Sequence, residues 1–298
     1  MQTQEKSKTL QYIIVVNTFN RAIELVQRCL RASLNQKIPP QKIILIDQNV
    51  ESLNLPEDLS TNPLIVRTRT NKKSVSAARN TLVIPAGTEW IFFCDDDGFP
   101  CDDYSEKLEN IISENPTLDI IAGSIVREDN NEFYNPRHKK RGSMKSFRNT
   151  KKLMGSNLLV KANVFNELGR FNENFGVGSY WGSSVETDFC WEAYFAGKNM
   201  EFFPELIVYH VPPFTESLRH GFKKTFKYGV GKGALVSKWL FKKRKVKVIY
   251  ELLEMFAVPF IQIARGLVTL KLGLVTSNFA ALFGRVYGML KCLFVSKG

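Results

Sequence analysis

Three short apolar runs decide most of what this chain can become. YIIVV (12–16), KIILID (42–47) and WIFFC (90–94) are too short for stable helices, rich in β-branched or aromatic residues, and apolar at nearly every position. A strand with one wet face alternates apolar and polar residues; a strand apolar throughout is covered on both faces. Between the first two runs, Ile23, Val26, Leu30 and Leu34 recur at helical spacing over 21–35. Asn20 is placed to cap that helix, and Pro39-Pro40 break the chain after it. LIVRT (64–68) reads as a third strand, with a helix near 74–83 behind it and WIFFC as the fourth strand. Further on come a polar helix at 103–114, strands at DIIAGSIV (119–126) and MGSNLLVK (154–161), and a short helix at 162–168. A helix at 185–196 and a strand at EFFPELIVYH (201–210) complete the pattern. This alternation predicts an α/β fold: a mixed, mostly parallel sheet with helices on both faces. Residues 127–152 are polar, basic and aperiodic, and predict a mobile loop.

In open parallel sheets, ligands bind beyond the carboxyl ends of the strands. The first strand runs into Thr18-Phe19-Asn20-Arg21, the second ends at Asp47, and the fourth ends in Asp95, Asp96 and Asp97. These residues are expected to converge on one crevice. Three adjacent carboxylates at the end of a buried strand repel one another and lose hydration, so their natural companion is a cation. A calcium loop would match Asp95, Asp97 and Glu106 at its first, third and twelfth positions. Phe99 and Pro100 at its fifth and sixth positions reject it. An Asp-x-Asp that bridges Mg²⁺ or Mn²⁺ to a ligand diphosphate remains, because these ions take one or two carboxylates plus phosphate oxygens. The other reading is a solvated turn capped by aspartates.

The net charge of +12 is uneven. Residues 1–210 are nearly neutral, whereas 211–298 carry 16 Lys and Arg against 3 acids. Eleven basic residues and no acid lie between Arg219 and Lys247, which points to an anionic surface: membrane, nucleic acid or a phosphorylated substrate. Behind them, Ile249, Leu252, Leu253, Phe256, Phe260 and Ile263 recur at helical spacing, as do Phe279, Leu282, Phe283, Val286, Leu290 and Leu293. Charged residues interrupt both series, so amphipathic helices in a membrane interface fit better than spans, with packing on the core as the competing reading. YGVGKG (228–233) lacks the spacing of a nucleotide P-loop. The polar opening MQTQEKSKTL predicts no signal peptide, and five cysteines without a CxxC pair read as reduced thiols of a cytosolic protein.

The order of motifs over residues 11–235 resembles glycosyltransferase family 2, the inverting nucleotide-sugar enzymes of GT-A fold. VVNTFNR resembles the family's first-strand motif, ILIDQN its second strand, SAARN a recurrent Ala-Arg-Asn, and CDDDG its Asp-x-Asp. Gln48 and Asn49 replace the acid and glycine that often follow Asp47. VETDF (185–189) resembles a Glu-Asp-x-Asp or Glu-Glu-x-Asp motif, with Val185 at its first acid. The resemblance implies that Thr18, Asn20, Arg21, Asp47, Arg79, Asp95 and Asp96 bind the nucleotide sugar. It implies that Asp97 and Asp95, joined by His210, hold Mn²⁺ or Mg²⁺. Glu186 becomes the catalytic base, Asp188 its alternate, and Trp181, in the Gly/Ser-rich loop 176–184, an acceptor-stacking residue or a core anchor.

The expected organisation is a GT-A catalytic domain over 1–210, with a nucleotide-sugar half at 11–100 and an acceptor half at 101–210. A basic amphipathic helical region over 211–298 follows. The expected partners are a nucleotide-sugar donor, which the resemblance implies is UDP-linked, a glycan or polyprenyl-phosphate-linked acceptor, and an anionic membrane surface, with no nucleic acid. The expected place is the cytoplasmic face of the plasma membrane, in surface polysaccharide synthesis. Two other classes stay open: a nucleotidyltransferase, disfavoured because TFNRAIE has no glycine, and a non-catalytic sugar- or nucleic-acid-binding module.

Overall fold

Among the described residues the apolar runs form the middle of one nine-stranded sheet. The computed structural model describes residues 10–212 and 218–295. In chain order the strands are β1 (Tyr12–Thr18), β2 (Lys42–Asp47), β3 (Ile65–Arg69), β4 (Trp90–Asp95), β5 (Gly98–Pro100), β6 (Ile120–Arg127), β7 (Gly142–Ser143), β8 (Leu158–Lys161) and β9 (Met200–His210). The α-helices are α1 (Ile23–Leu34), α2 (Glu57–Ser60), α3 (Val75–Arg79), α4 (Tyr104–Glu114), α5 (Ala162–Glu167), α6 (Val185–Phe195), α7 (Leu218–Ser237), α8 (Ile249–Val268) and α9 (Leu272–Phe294). The described residues divide into two compact units. One holds 10–71, 81–170 and 191–212; the other holds 72–80, 171–190 and 218–295.

The first unit contains the sheet, ordered β3-β2-β1-β4-β8-β6-β9-β5, with β7 beside β9. β3, β2, β1 and β4 are mutually parallel; β8 opposes both β4 and β6, and β9 runs with β6. All seven residues of β1 are buried, as its unbroken apolar run requires. Tyr12, Ile14, Val16 and Phe92 share a core with Val26 and Leu30 of α1 and Leu108 and Ile111 of α4. The Tyr104 ring stacks on Phe92 with centroids 4.8 Å apart. On the opposite face Phe93 meets Phe165 of α5 at 5.3 Å. The unit is therefore an α/β layer structure with a mixed, mostly parallel sheet.

Three local expectations change. Asn20 does not cap α1: the N-cap is Ala22, without a side-chain bond, and Asn20 has φ 51° with its N–H donating to Asn49 Oδ1 at 2.7 Å. The tight reversal after β1 claims Asn20, because Asn tolerates the left-handed region better than most residues. The segment 127–152 is not a bare loop. It contains 3₁₀ turns at Pro136–Lys139 and Phe147–Lys152 and the strand β7, and it buries His138, Met144 and Phe147. Only the last four residues of MGSNLLVK form a strand, after a 3₁₀ turn at Gly155–Asn157.

His138 anchors that segment. Its Nδ1 accepts the Ile125 N–H at 3.2 Å, so the ring proton sits on Nε2, which donates to the Lys152 carbonyl at 2.9 Å. Burial pushes the imidazole down to about 4 from 6.5. Between those values the unfolded chain binds a proton that the folded chain refuses, so stability falls as pH falls. Moving from pH 7 to pH 5 is expected to cost about 2 kcal/mol through this group. Urea unfolding of a His138→Gln variant should show a pH 7-to-5 loss smaller by that amount; an unchanged loss would refute the assignment.

In the second unit, α7, α8 and α9 form a helical array in which α7 and α9 lie backbone to backbone. A Cβ on Gly288 would fall 2.0 Å from the Val230 carbonyl oxygen, and one on Gly233 2.0 Å from that of Arg285. In YGVGKG, Gly229 and Gly233 therefore serve close packing on α9, and Gly231 lets the helix approach the backbone of Trp181–Ser183. Among the described residues no helix is long and apolar enough to cross a membrane. Leu253, Phe260, Ile261, Leu267, Val268, Leu270 and Leu272 are exposed along α8 and its connection to α9, and Phe279, Phe283, Leu290 and Phe294 are exposed on α9.

Candidate functional site

The register of the first unit brings the strand-end residues together. Thr18 lies opposite Asp47, and Asn17 opposite Asp95, so the carboxyl ends of β2, β1 and β4 form one edge. Asp96 and Asp97 make the two-residue turn between β4 and β5. β5 then pairs antiparallel with β9, which sets Gly98 opposite His210.

Arg21 and His210 supply positive charge to this turn. Arg21 Nε lies 2.9 Å from Asp96 Oδ1, and Arg21 Nη1 2.9 Å from Asp97 Oδ2. His210 Nε2 is 3.0 Å from Asp97 Oδ1, and the ring stands edge-on to Tyr134 at 5.2 Å. Burial pushes the Asp96 carboxyl up to about 6, against the pull of Arg21. Burial also opposes ionisation of Asp97, but the hydrogen bond to His210 and the charges of His210 and Arg21 outweigh it and hold Asp97 below the ordinary range. His210 rises to about 8, because the bond to Asp97 outweighs its own burial.

Asp95, Asp97 and His210 each offer one ligand atom, and these atoms lie within 4.8 Å of one another. The set fits a divalent cation. His210 Nδ1 is 2.9 Å from the Val211 carbonyl oxygen, which can hold the ring proton there and leave the Nε2 lone pair for a metal. Two carboxylates with one imidazole suit Mn²⁺ better than Mg²⁺, because imidazole is the softer donor.

Asp47 is fully buried; Arg67 donates to its Oδ2, and the Asn49 N–H donates to its Oδ1 at 2.9 Å. Burial raises this carboxyl, and those hydrogen bonds more than reverse the effect, leaving it below the ordinary range. Beside it the Asn17 amide donates to Gln48 Oε1. A groove of about 840 Å³ opens here, lined by Asn20, Arg21, Ala22, Asn49, Val50 and Leu53 among others.

The second unit holds the remaining expected residues. Ser74 caps α3 by accepting the Ala77 N–H at 3.1 Å. Ser76 donates to the Phe175 carbonyl at 2.6 Å and the Asn80 amide to that of Phe171 at 2.8 Å, which tie α3 to segment 171–175. This fixes Arg79, 1% exposed, with Nη1 3.4 Å from Glu186 Oε1. Glu186 lies in the first turn of α6 with 28% of its side chain exposed, so a substrate hydroxyl can reach it. Asp188 is buried: Lys238 Nζ donates to both its oxygens at 2.8 and 2.9 Å, and Trp239 Nε1 to Oδ1 at 2.6 Å. The sequence does not mark Lys238 and Trp239, because nothing in a basic run distinguishes a buried lysine from a solvated one. Removing one member of a buried pair strands the other, at about 3–5 kcal/mol. Asp188→Ala is expected to lower the thermal midpoint by several degrees; an unchanged midpoint would contradict this pairing.

Trp181 is 1% exposed, with its ring 6.4 Å from Phe175 and edge-on to Tyr180 at 4.7 Å. Its neighbour Tyr180 is 42% exposed, so Tyr180 presents the accessible ring in this loop.

Comparison with known proteins adds a family. The model of glycosyl transferase family 2 matches residues 13–184, which include every expected donor-side residue except His210. Among solved structures, that of S. aureus TarS is similar at a TM-score of 0.61 and 12% identity, covering 82% of this chain. This chain spans 43% of the TarS chain, and the likeness supports the fold. No curated protein sequence matches.

Proposed function

We propose that this chain, which belongs to glycosyl transferase family 2 and has its GT-A fold, moves a sugar from a nucleoside diphosphate donor, most simply a UDP-sugar, to a hydroxyl of a glycan or lipid-linked acceptor. The observation that carries this reading is the Asp95–Asp97–His210 donor set at the carboxyl edge of the parallel strands, with Arg21 beside it. Asp95, Asp97 and His210 would hold the divalent cation, which when bound supplies positive charge against the diphosphate leaving group. Thr18, Asn20, Arg21 and Asp96 line the donor side, and Asp47 with its Arg67 partner offers the recognition edge for the base. Arg79 orients the Glu186 carboxylate and adds positive charge. Glu186 takes the proton from the acceptor hydroxyl, which then attacks the anomeric carbon from the side opposite the leaving group, inverting its configuration. Asp188, held by Lys238 and Trp239, positions α6 in this scheme.

The basic run from Arg219 to Lys247 and the exposed apolar residues of α8 and α9 support action at an anionic membrane surface, with the helices lying in the interface. The cytoplasmic face of a plasma membrane and a step in surface polysaccharide synthesis fit that placement. The test is incubation of the purified chain with Mn²⁺, a panel of nucleotide sugars and a membrane lipid extract, followed by NMR of the product. Transfer from one donor with the opposite anomeric configuration supports the reading. Transfer with retained configuration, or equal activity on free soluble sugars, refutes its mechanism or its acceptor.

A further inference from the structure

The second unit contains a cleft of about 950 Å³ between the loop 177–182 and the first half of α7. Lys223, Lys224 and Lys227 line it, with His220, and all four are exposed. At helical spacing, Lys223 and Lys227 are one turn apart, as are Lys224 and Tyr228, so one stripe of α7 carries three ammonium groups. Among the described residues the lining contains no carboxylate. Like charges at this spacing destabilise a helix, and an anion held between them reverses the sign of that contribution. Exposed rings stand around the charges: Tyr180 at 42%, Phe222 at 40% and Tyr228 at 47%.

The cleft continues into an apolar face. Phe226, in its lining, lies 6.2 Å from Tyr287 of α9, ring to ring. Lys291 Nζ stands 4.4 Å from the Tyr180 ring and 5.6 Å from that of Tyr287, a fourth cation at the boundary. From Tyr287 the exposed residues Phe283 and Phe279 lead one way along α9, and Leu290 and Phe294 the other. A cationic pocket opening onto a ridge of apolar side chains matches an amphiphile with a phosphate head and a hydrocarbon chain.

We propose that this cleft binds the phosphate or diphosphate of a lipid-linked acceptor, with Lys223, Lys224 and Lys227 on the phosphate oxygens and the lipid chain lying along α9. The assignment rests on the transferase reading above and deepens it by naming where the acceptor's anchor sits. Single-stranded nucleic acid would also suit alternating lysines and rings, but it has no use for the apolar face.

The test uses farnesyl diphosphate as probe, titrated into the full chain with tryptophan fluorescence as readout, since Trp181 lines the cleft. Inorganic pyrophosphate and a single-stranded oligonucleotide are run in parallel. Two variants are compared: Lys223→Ala/Lys224→Ala/Lys227→Ala, and Arg244→Ala/Lys245→Ala/Lys247→Ala, which removes equal charge elsewhere in the basic run. Farnesyl diphosphate is expected to bind more tightly than pyrophosphate. The first variant should weaken it by roughly tenfold or more, and the second by about twofold at most. Equal loss in both variants, loss in neither, pyrophosphate binding as tightly as farnesyl diphosphate, or displacement by the oligonucleotide would each overturn the assignment. Donor binding, followed separately with a nucleotide sugar and Mn²⁺, distinguishes the two failures. A chain that binds donor but not farnesyl diphosphate overturns this inference alone, and one that does not bind donor overturns the transferase reading.

Discussion

A Glu186→Gln variant is expected to lose about 10²–10⁴-fold in kcat while its affinity for the donor stays within about twofold. Gln keeps the shape of Glu and can still accept from Arg79 Nη1, which lies 3.4 Å from Glu186 Oε1. What it loses is the capacity to take a proton. The side chain is partly exposed in the first turn of α6, whereas its partner Arg79 is held by α3 and packed 5.9 Å from the Phe171 ring. A fixed guanidinium beside a reachable carboxylate orients it for proton transfer, which needs the acceptor hydroxyl within hydrogen-bond reach. Donor titration and turnover, measured on the same preparation, separate the two effects. Full turnover in the variant would remove Glu186 from the chemistry, and Asp188 could not take its place while Lys238 and Trp239 occupy both its oxygens.

An Asp97→Asn variant is expected to lower kcat/KM by about 100-fold or more and to abolish any dependence on Mn²⁺. Asp97 is 4% exposed and joins Arg21 to His210, so it is both a candidate ligand and the link that orients the other two. Asn fills the same space and keeps one oxygen for His210, which limits the damage to the fold. A stability measurement must accompany the kinetics, because the variant leaves Arg21 with one fewer anion. A stable variant with normal metal-dependent turnover would leave the Asp-x-Asp as a charged turn.

The strands were legible because burial on both faces writes itself as an unbroken apolar run. The register then follows: with β1 between β2 and β4, Thr18, Asp47 and Asp95 fall on one edge, as their positions after the apolar runs suggested. β5 escaped notice, since three residues that include Gly98 and Pro100 have no periodicity, yet its pairing with β9 is what sets His210 against Asp97. The segment 127–152 looked structureless because its order comes from single buried groups, such as His138 and Phe147, and not from a repeating face. Sequence does not separate the two roles open to Asn20, because residues that tolerate positive φ and residues that cap a helix are the same few types. For Trp181 and Asp188 the sequence showed the type but not the depth. Both lie in the interior, Asp188 against a lysine fifty residues away in the basic run.

The measurement that bears most directly on the role of the three aspartates is thermal stability of the purified chain across a panel of nucleoside diphosphates and nucleotide sugars, with and without Mn²⁺. A ligand present at about 100 times its Kd stabilises the fold by about 2.7 kcal/mol, a readily visible shift. The expected result is a shift with one nucleotide sugar that requires Mn²⁺ and disappears in Asp97→Asn. A shift that ignores both the metal and the substitution, or a well-folded chain that responds to no member of the panel, would contradict the donor site proposed at Asp95, Asp97 and His210.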